Sequence, residues 1–198
     1  GDGLRAPPRH FSHCVDGEGG DGPAPGSLRR AVDFSGDWIL SKLEGDLEVQ
    51  FEAMDMTALE RALFDTVLGS LVGIYKLQID QRGDVFNYVI SVKGTSFREK
   101  VTYEAGEVWH GKRKEQLCAY WLDREHNEMQ VNVRKNGKRM PTLRRFMRGD
   151  NLMVEMTDPK GKQLLQTFHR DDGSVVFAGN YSEIPYAAID ELLGPAEQ

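Results

Sequence analysis

From Gly73 to His169 the chain repeats one pattern: short runs of alternating apolar and polar residues, separated by turns that carry glycine. Tyr75, Leu77 and Ile79 alternate with Lys76, Gln78 and Asp80. Gly83-Asp84 leads into Val85–Val92, Gly94 into Phe97–Tyr103, and Gly106 into Val108–Gly111. Glu115–Leu122 and Glu128–Arg134 follow, and Asn136-Gly137 is a strong two-residue hairpin signal. Beyond it lie Thr142–Arg148, Leu152–Met156 and Gln163–His169. A period of two sends successive side chains to opposite faces of a strand, so each run offers one apolar and one polar face. With a further strand at Phe34–Leu40, the chain holds about ten short strands at close spacing.

One helical stretch interrupts them, directly after the first strand. Thr57 and Glu60 have capping-box spacing. Leu59, Leu63, Phe64, Val67, Leu68, Leu71 and Val72 recur at three- and four-residue steps, and Gly73 is a plausible stop. So many short strands would leave exposed edges unless the sheet closes on itself, so the expected fold is a closed ten-stranded antiparallel up-and-down β-barrel.

Composition narrows the function classes. Lys plus Arg is 25 against 31 for Asp plus Glu, a net charge of −6, which argues against a general nucleic-acid binder. No apolar run is long enough for a membrane-spanning helix. The two cysteines, Cys14 and Cys118, are too few for a disulfide framework and favour a cytoplasmic or other reducing compartment. The chain starts at Gly1 rather than Met, which suggests a processed product or excised domain, so an organelle reached with a transit peptide stays open. Residues 1–32 are rich in Gly and Pro and read as a tail or linker; 33–170 form the barrel domain. Residues 171–198 form a C-terminal extension with a possible strand at Ser174–Ala178 and a short helix at Tyr186–Leu193.

From about Phe34 to Arg170 the chain resembles the intracellular lipid-binding proteins, the calycin-superfamily group of fatty-acid-binding and cellular retinoid-binding proteins. Phe34-x-Gly36-x-Trp38-x-Leu40 is similar to that family's opening strand, and Gly83-Asp84-Val85 to its first meander turn. Thr95-Ser96-Phe97-Arg98 stands where the family has its portal phenylalanine. Val101–Trp109, Thr142–Arg145, Gly149–Met156 and Leu165–His169 continue the match in order. The resemblance implies a helical lid between the first two strands and a cavity that carries a hydrophobic ligand. The chain also departs from the family. Gly45-Asp46-Leu47 replaces the aromatic-acidic pair that opens the lid, and the lid is longer. Gln166 and Phe168 stand where fatty-acid carriers have Arg and Tyr, a pattern closer to the retinol-binding members.

Arg144 and Arg145 are strand neighbours and point to opposite faces. Arg145 shares its more apolar face with Leu143 and Met147, and an inward arginine needs an anion or ordered water to offset its desolvation. By resemblance Arg145 anchors a ligand carboxylate through charge-assisted hydrogen bonds. A register shift would instead put Arg144 inside. Gln166 and Phe168 share one face of the last strand, as head-group support and cavity lining respectively. Val131, Val133, Val154 and Met156 are the inward wall positions, with Phe97 at the portal.

The expected function is non-enzymatic carriage of a hydrophobic carboxylate such as a long-chain fatty acid, with no cofactor and no metal. An interaction module that docks a protein partner through the lid or tails is the alternative. An enzyme on the same barrel, as in dinoflagellate luciferase domains, finds little support: Tyr103, Tyr120 and Glu155 show no catalytic spacing. Between Lys42 and Val72 the charges are Lys42 and Arg61 against Glu44, Asp46, Glu48, Glu52, Asp55, Glu60 and Asp65, so an anionic membrane should repel the lid. The run Arg134, Lys135, Lys138, Arg139, Arg144, Arg145 and Arg148 reads as a solvated hairpin tip plus outer-face residues. His10, His13 and Cys14 read as a chance cluster in the tail.

Overall fold

The computed structural model describes residues 32–53, 71–111, 114–123, 125–175 and Ala187. In chain order they form β1 (Gly36–Gly45), α1 (Glu48–Ala53), β2 (Tyr75–Arg82), β3 (Val85–Val92), β4 (Arg98–Glu104), β5 (Val108–His110) and β6 (Glu115–Trp121). Then come β7 (Glu128–Lys135), β8 (Lys138–Arg139), β9 (Thr142–Arg148), β10 (Asn151–Thr157) and β11 (Gln163–Arg170).

All pairings are antiparallel, and the sheet runs β4-β3-β2-β1-β11-β10-β9-β7-β6-β5, with β8 paired to β7 alone. This is the expected meander, bent round so that β1 meets β11 and the sheet nearly closes. Two details correct the expectation. A two-residue strand, β8, brings the number to eleven, and the hydrogen-bonded path stops at β4 and β5. These two strands touch without a ladder, because β5 has three residues and pairs only with β6.

The helix expected from Thr57 lies outside the described residues except for Leu71 and Val72, which enter a turn. The described helix, α1, starts earlier than expected. The Asp46 carboxylate accepts the Glu48 N–H at 3.0 Å and serves as its cap. Val49 and Phe51 are buried in the main core, which docks this short turn of helix at the end of the barrel. The extension's expected strand and helix also lie mostly outside the described residues; Ala187 is helical and exposed.

Phe34-x-Gly36-x-Trp38 has a physical reading at the opposite end. Gly36 has φ +141°, and a Cβ there would overlap the Arg170 guanidinium. That guanidinium lies 3.8 Å from the Trp38 ring centroid and donates to the Ser35 carbonyl at 2.6 Å. Phe34 is fully buried, and its carbonyl accepts the Trp38 indole N–H at 2.9 Å.

The cysteine expectation needs correction. Cys118 is disulfide-bonded; the chain's one other cysteine is Cys14, outside the described residues. A low cysteine count therefore no longer argues for a reducing compartment.

Candidate ligand-binding site

Strand register fixes which side chains meet inside. Across β9, β10, β11 and β1, Arg145 pairs with Val154, Val154 with Gln166, and Gln166 with Leu43. One step toward the lid, Val131 pairs with Leu143 and Leu143 with Met156. One step away from it, Met147 pairs with Leu152 and Leu152 with Phe168. Eight of the expected site residues thus form one continuous inner wall. Val133 lies inward on β7 opposite Leu117, and Phe97 sits in the β3–β4 turn; both are half-buried against the core.

Register also decides between the two arginines. Arg144 faces outward, where Glu128 holds it at 2.7 Å and Glu155 lies 3.6 Å away. The basic run is divided between the two faces of the sheet, and this arginine is neutralised locally.

Arg145 faces inward and has a different environment. Its Nη1 donates to the Tyr103 hydroxyl at 2.5 Å, and its guanidinium lies 4.3 Å from the Tyr88 ring centroid. The Tyr88 and Tyr103 rings stack at 5.4 Å. Among the described residues no carboxylate pairs with Arg145. Of the buried side-chain polar atoms of the described residues, two have no hydrogen-bond partner and both are here: Arg145 Nε and the Tyr88 hydroxyl. Burial opposes the charge on Arg145, but the oxygens of Tyr103, Tyr88 and Tyr75 more than offset it, so the guanidinium stays protonated. Protein surrounds Arg145 on all sides, yet its own surface is only half-buried, so solvent-sized space persists beside it.

Residues not singled out as ligand contacts complete the site. Tyr103 and Tyr88 reach Arg145 across the barrel from β4 and β3. Gln166 Nε2 donates to Gln50 Oε1 at 2.8 Å, which ties the cavity wall to α1. Tyr103 is inward by the alternation Val101, Tyr103, so parity could have found it; no local signal marks Gln50.

The interior differs along its length. At the lower end, away from α1, Phe34, Trp38, Phe86, Tyr88, Tyr103, Met129 and Phe168 are buried. Phe86 stacks on Tyr103 at 5.4 Å and meets Trp121 at 6.0 Å, so rings fill this end. Toward the lid, Leu43, Tyr75, Ile90, Val101, Leu117, Val133 and Leu143 also point inward, yet each is only half-buried. Arg145 lies where the packed part gives way to the loose part. A separate hollow of about 470 Å³ opens at the lower end, lined by Asp150, Asn151, His169, Arg170, Asp172, Ser174 and Met147. Its polar lining does not suit an apolar cargo.

Comparison with solved structures agrees with this architecture. Human cRBP IV superposes with a TM-score of 0.55 at 20% identity, over 70% of this chain and 98% of that one. A fatty acid transporter, REP1-NXSQ, gives 0.54 at 15% identity over 70% and 96%. A Schistosoma mansoni fatty acid binding protein in complex with arachidonic acid gives 0.54 at 14% identity over 69% and 95%. No family model and no curated protein matches the sequence. The chain therefore has the fold of the intracellular lipid-binding barrels, as its sequence led us to expect. Among the described residues no helix is long and apolar enough to cross a membrane, and no group of three or more His, Cys, Asp or Glu is placed to hold a metal ion.

Proposed function

We propose that the barrel is a non-enzymatic binding protein for a hydrophobic carboxylate of the fatty-acid kind. The head group lies against Arg145, Tyr103 and Tyr88, and the tail lies along the loose wall toward the lid. One observation carries this reading: a protonated, enclosed guanidinium with an unpartnered N–H and, among the described residues, no carboxylate beside it. The tyrosines offset the burial of this charge without a full counter-charge, and a ligand carboxylate would supply that counter-charge and an acceptor for Nε together. The neighbouring folds lend support, since two are titled a fatty acid transporter and a fatty acid binding protein in complex with arachidonic acid.

The tail's shape is constrained too. Arg145 lies three positions from the start of β9 at Thr142, about 10 Å of wall at the usual strand rise. A long acyl chain therefore bends inside the barrel or continues past the lid. Burial yields roughly 0.8 kcal/mol per methylene, enough to overcome association costs for a chain of ordinary length.

The test is titration of delipidated protein with a long-chain fatty acid, its methyl ester and all-trans-retinol, for the native chain and for Arg145→Met. The acid should bind the native protein saturably. Its affinity should fall about 10- to 100-fold in the variant, the equivalent of about 1.5–3 kcal/mol for a hydrogen bond to a charged group. The unliganded variant should be at least as stable as the native protein, because a buried charge has been replaced by a side chain of similar length. Equal binding of acid and ester, or affinity unchanged in Arg145→Met, would rule out the carboxylate. Tighter binding of retinol by the native chain would shift the ligand to an alcohol held at Gln166. Failure of every ligand to bind would sink the carrier reading.

A further inference from the structure

The outer face of the barrel carries a band that the fold does not explain. On β10 the residues Leu152, Val154 and Met156 point inward, so Met153 points outward, and it pairs with outward Thr167 and Phe146. Ile39 is outward on β1, beside His169 of β11. Outward residues of a free-standing barrel meet water. Yet Ile39 is 2% exposed, Met153 3% and Thr167 9%. Ile39 and Met153 also stand apart from the contiguous inner core. No described element lies over them, since α1 meets the inner wall through Gln50 and Gln166.

We propose that residues 176–198 pack on the outer face of β1, β11 and β10 and cover Ile39, Met153 and Thr167. Three segments of the chain could reach the band, and the routes of the chain separate them. The N-terminal segment enters at Val32, whose N–H donates to the His126 carbonyl at 2.9 Å, beside β6 and β7. Its Cys14 is the one other cysteine of the chain for the disulfide at Cys118 of β6, and β7 and β9 lie between β6 and the band. Residues 54–70 leave and return at the lid end, whereas Ile39 and Met153 lie in the lower halves of their strands. The C-terminal segment starts at the band itself. After β11 ends, the Asp171 N–H donates to the Asp37 carbonyl at 2.9 Å, and its carboxylate pairs with Lys76. Lys76 is the register partner of Ile39, so the chain turns onto this face as it leaves the barrel.

The segment's chemistry fits. Val176, Phe177, Tyr181, Ile184, Tyr186, Ile189, Leu192 and Leu193 give it apolar residues that need cover. Tyr186, Ile189 and Leu193 recur at helical spacing, and Ala187, which is helical and exposed, lies off that stripe. Covering the seam where β1 meets β11 clamps the first strand to the last. In this arrangement the extension is a clasp on its own barrel and not a free arm for a partner.

Methionine oxidation by dilute peroxide, read by peptide mass spectrometry, tests this, because thioether oxidation follows exposure. Met153 is the probe, and inward Met129 and Met156 are internal controls. Three monomeric proteins are compared: the full chain, a chain ending at Val175, and the full-length double variant Ile189→Asp, Leu192→Asp. The double variant alters only the extension, so the barrel's own packing is untouched. Met153 should resist oxidation in the full chain and react at least tenfold faster in both altered proteins, with Met129 and Met156 unchanged. Fast oxidation of Met153 in the full chain would show that the band is uncovered. Slow oxidation in the truncated monomer would show that something else covers it. Either result overturns the proposal.

Discussion

The two ends of the barrel interior are built for different tasks, although the same strands supply both. Below Arg145 the inward positions hold Phe34, Trp38, Phe86, Tyr88, Tyr103 and Phe168, stacked and buried. Above it the same alternation delivers Leu43, Ile90, Val101, Leu117, Val133 and Leu143, smaller side chains that leave one another half-buried. Ring stacking at one end supplies the dense packing on which stability depends. The aliphatic end forgoes part of that burial, and the space it leaves is where the proposed function puts the ligand tail. The difference teaches that within a barrel of fixed strand number the sizes of the inward residues decide how densely each end packs.

The largest effect should come from the packed end. Phe86→Ala removes a ring held between Tyr103 and Trp121 and should cost about 3–5 kcal/mol in urea denaturation. Val133→Ala, in the loose end, should cost about 1 kcal/mol or less, since its methyl groups are already partly solvated. Equal losses at the two sites would abolish the contrast.

Much of this was legible in the sequence, for reasons that particular residues make clear. Alternation and glycine turns are local signals, so the strands fell where expected, and parity within one hairpin put Leu143, Arg145 and Met147 on the face of Val154 and Met156. The apolar company of Leu143 and Met147 and the family resemblance favoured Arg145 as the inward arginine, but a register shift that put Arg144 inside stayed open. Glu128 and Glu155 separate them, by standing on neighbouring strands opposite Arg144. What stayed hidden depends on closure. Tyr103 lies 42 positions from Arg145 and meets it across the barrel, and Gln50 lies 116 positions from Gln166. Such contacts are set by how far the sheet bends and where the lid docks, and no short-range pattern encodes either. The disulfide at Cys118 was missed for a related reason: a count of two cysteines says nothing about their distance in space.

Tyrosine titration provides a second probe of the contrast, of intermediate size. Burial, first of all, raises the pKa of Tyr75 in the loose end and of Tyr103 in the packed end above the usual 10.0. Glu99 adds to the rise at Tyr75 and Arg145 opposes it at both. A raised folded-state pKa stabilises fully below the unfolded value and loses that contribution as pH climbs. Between pH 10 and 11 the protein should therefore lose up to about 1.4 kcal/mol per such tyrosine. Absorbance of tyrosinate should lag behind the number of tyrosines until the chain unfolds. A saturating fatty acid should make both still harder to ionise, Tyr103 because the carboxylate lies beside it and on Arg145, and Tyr75 because the tail displaces water from the loose end. If ionisation of all the tyrosines is complete in the folded protein, both ends are open to hydroxide and the packed floor is not sealed.

The smallest effect concerns the boundary between container and lid. The Gln50 amide oxygen accepts from Gln166 at 2.8 Å, and this is the one hydrogen bond described between side chains of α1 and the inner wall. Gln50→Ala leaves Gln166 free to turn toward water in the loose end, so the cost should be about 1 kcal/mol or less. Its consequence should be kinetic. With that tie to the wall removed, opening of α1 becomes easier, and release of a bound fatty acid should speed up by about fivefold at that energy, with entry faster in similar proportion. Stopped-flow exchange of a fluorescent fatty acid reads both rates. Faster release with unchanged entry would instead make Gln50 part of the ligand's own contacts, and would move the boundary of the binding site from the wall onto α1.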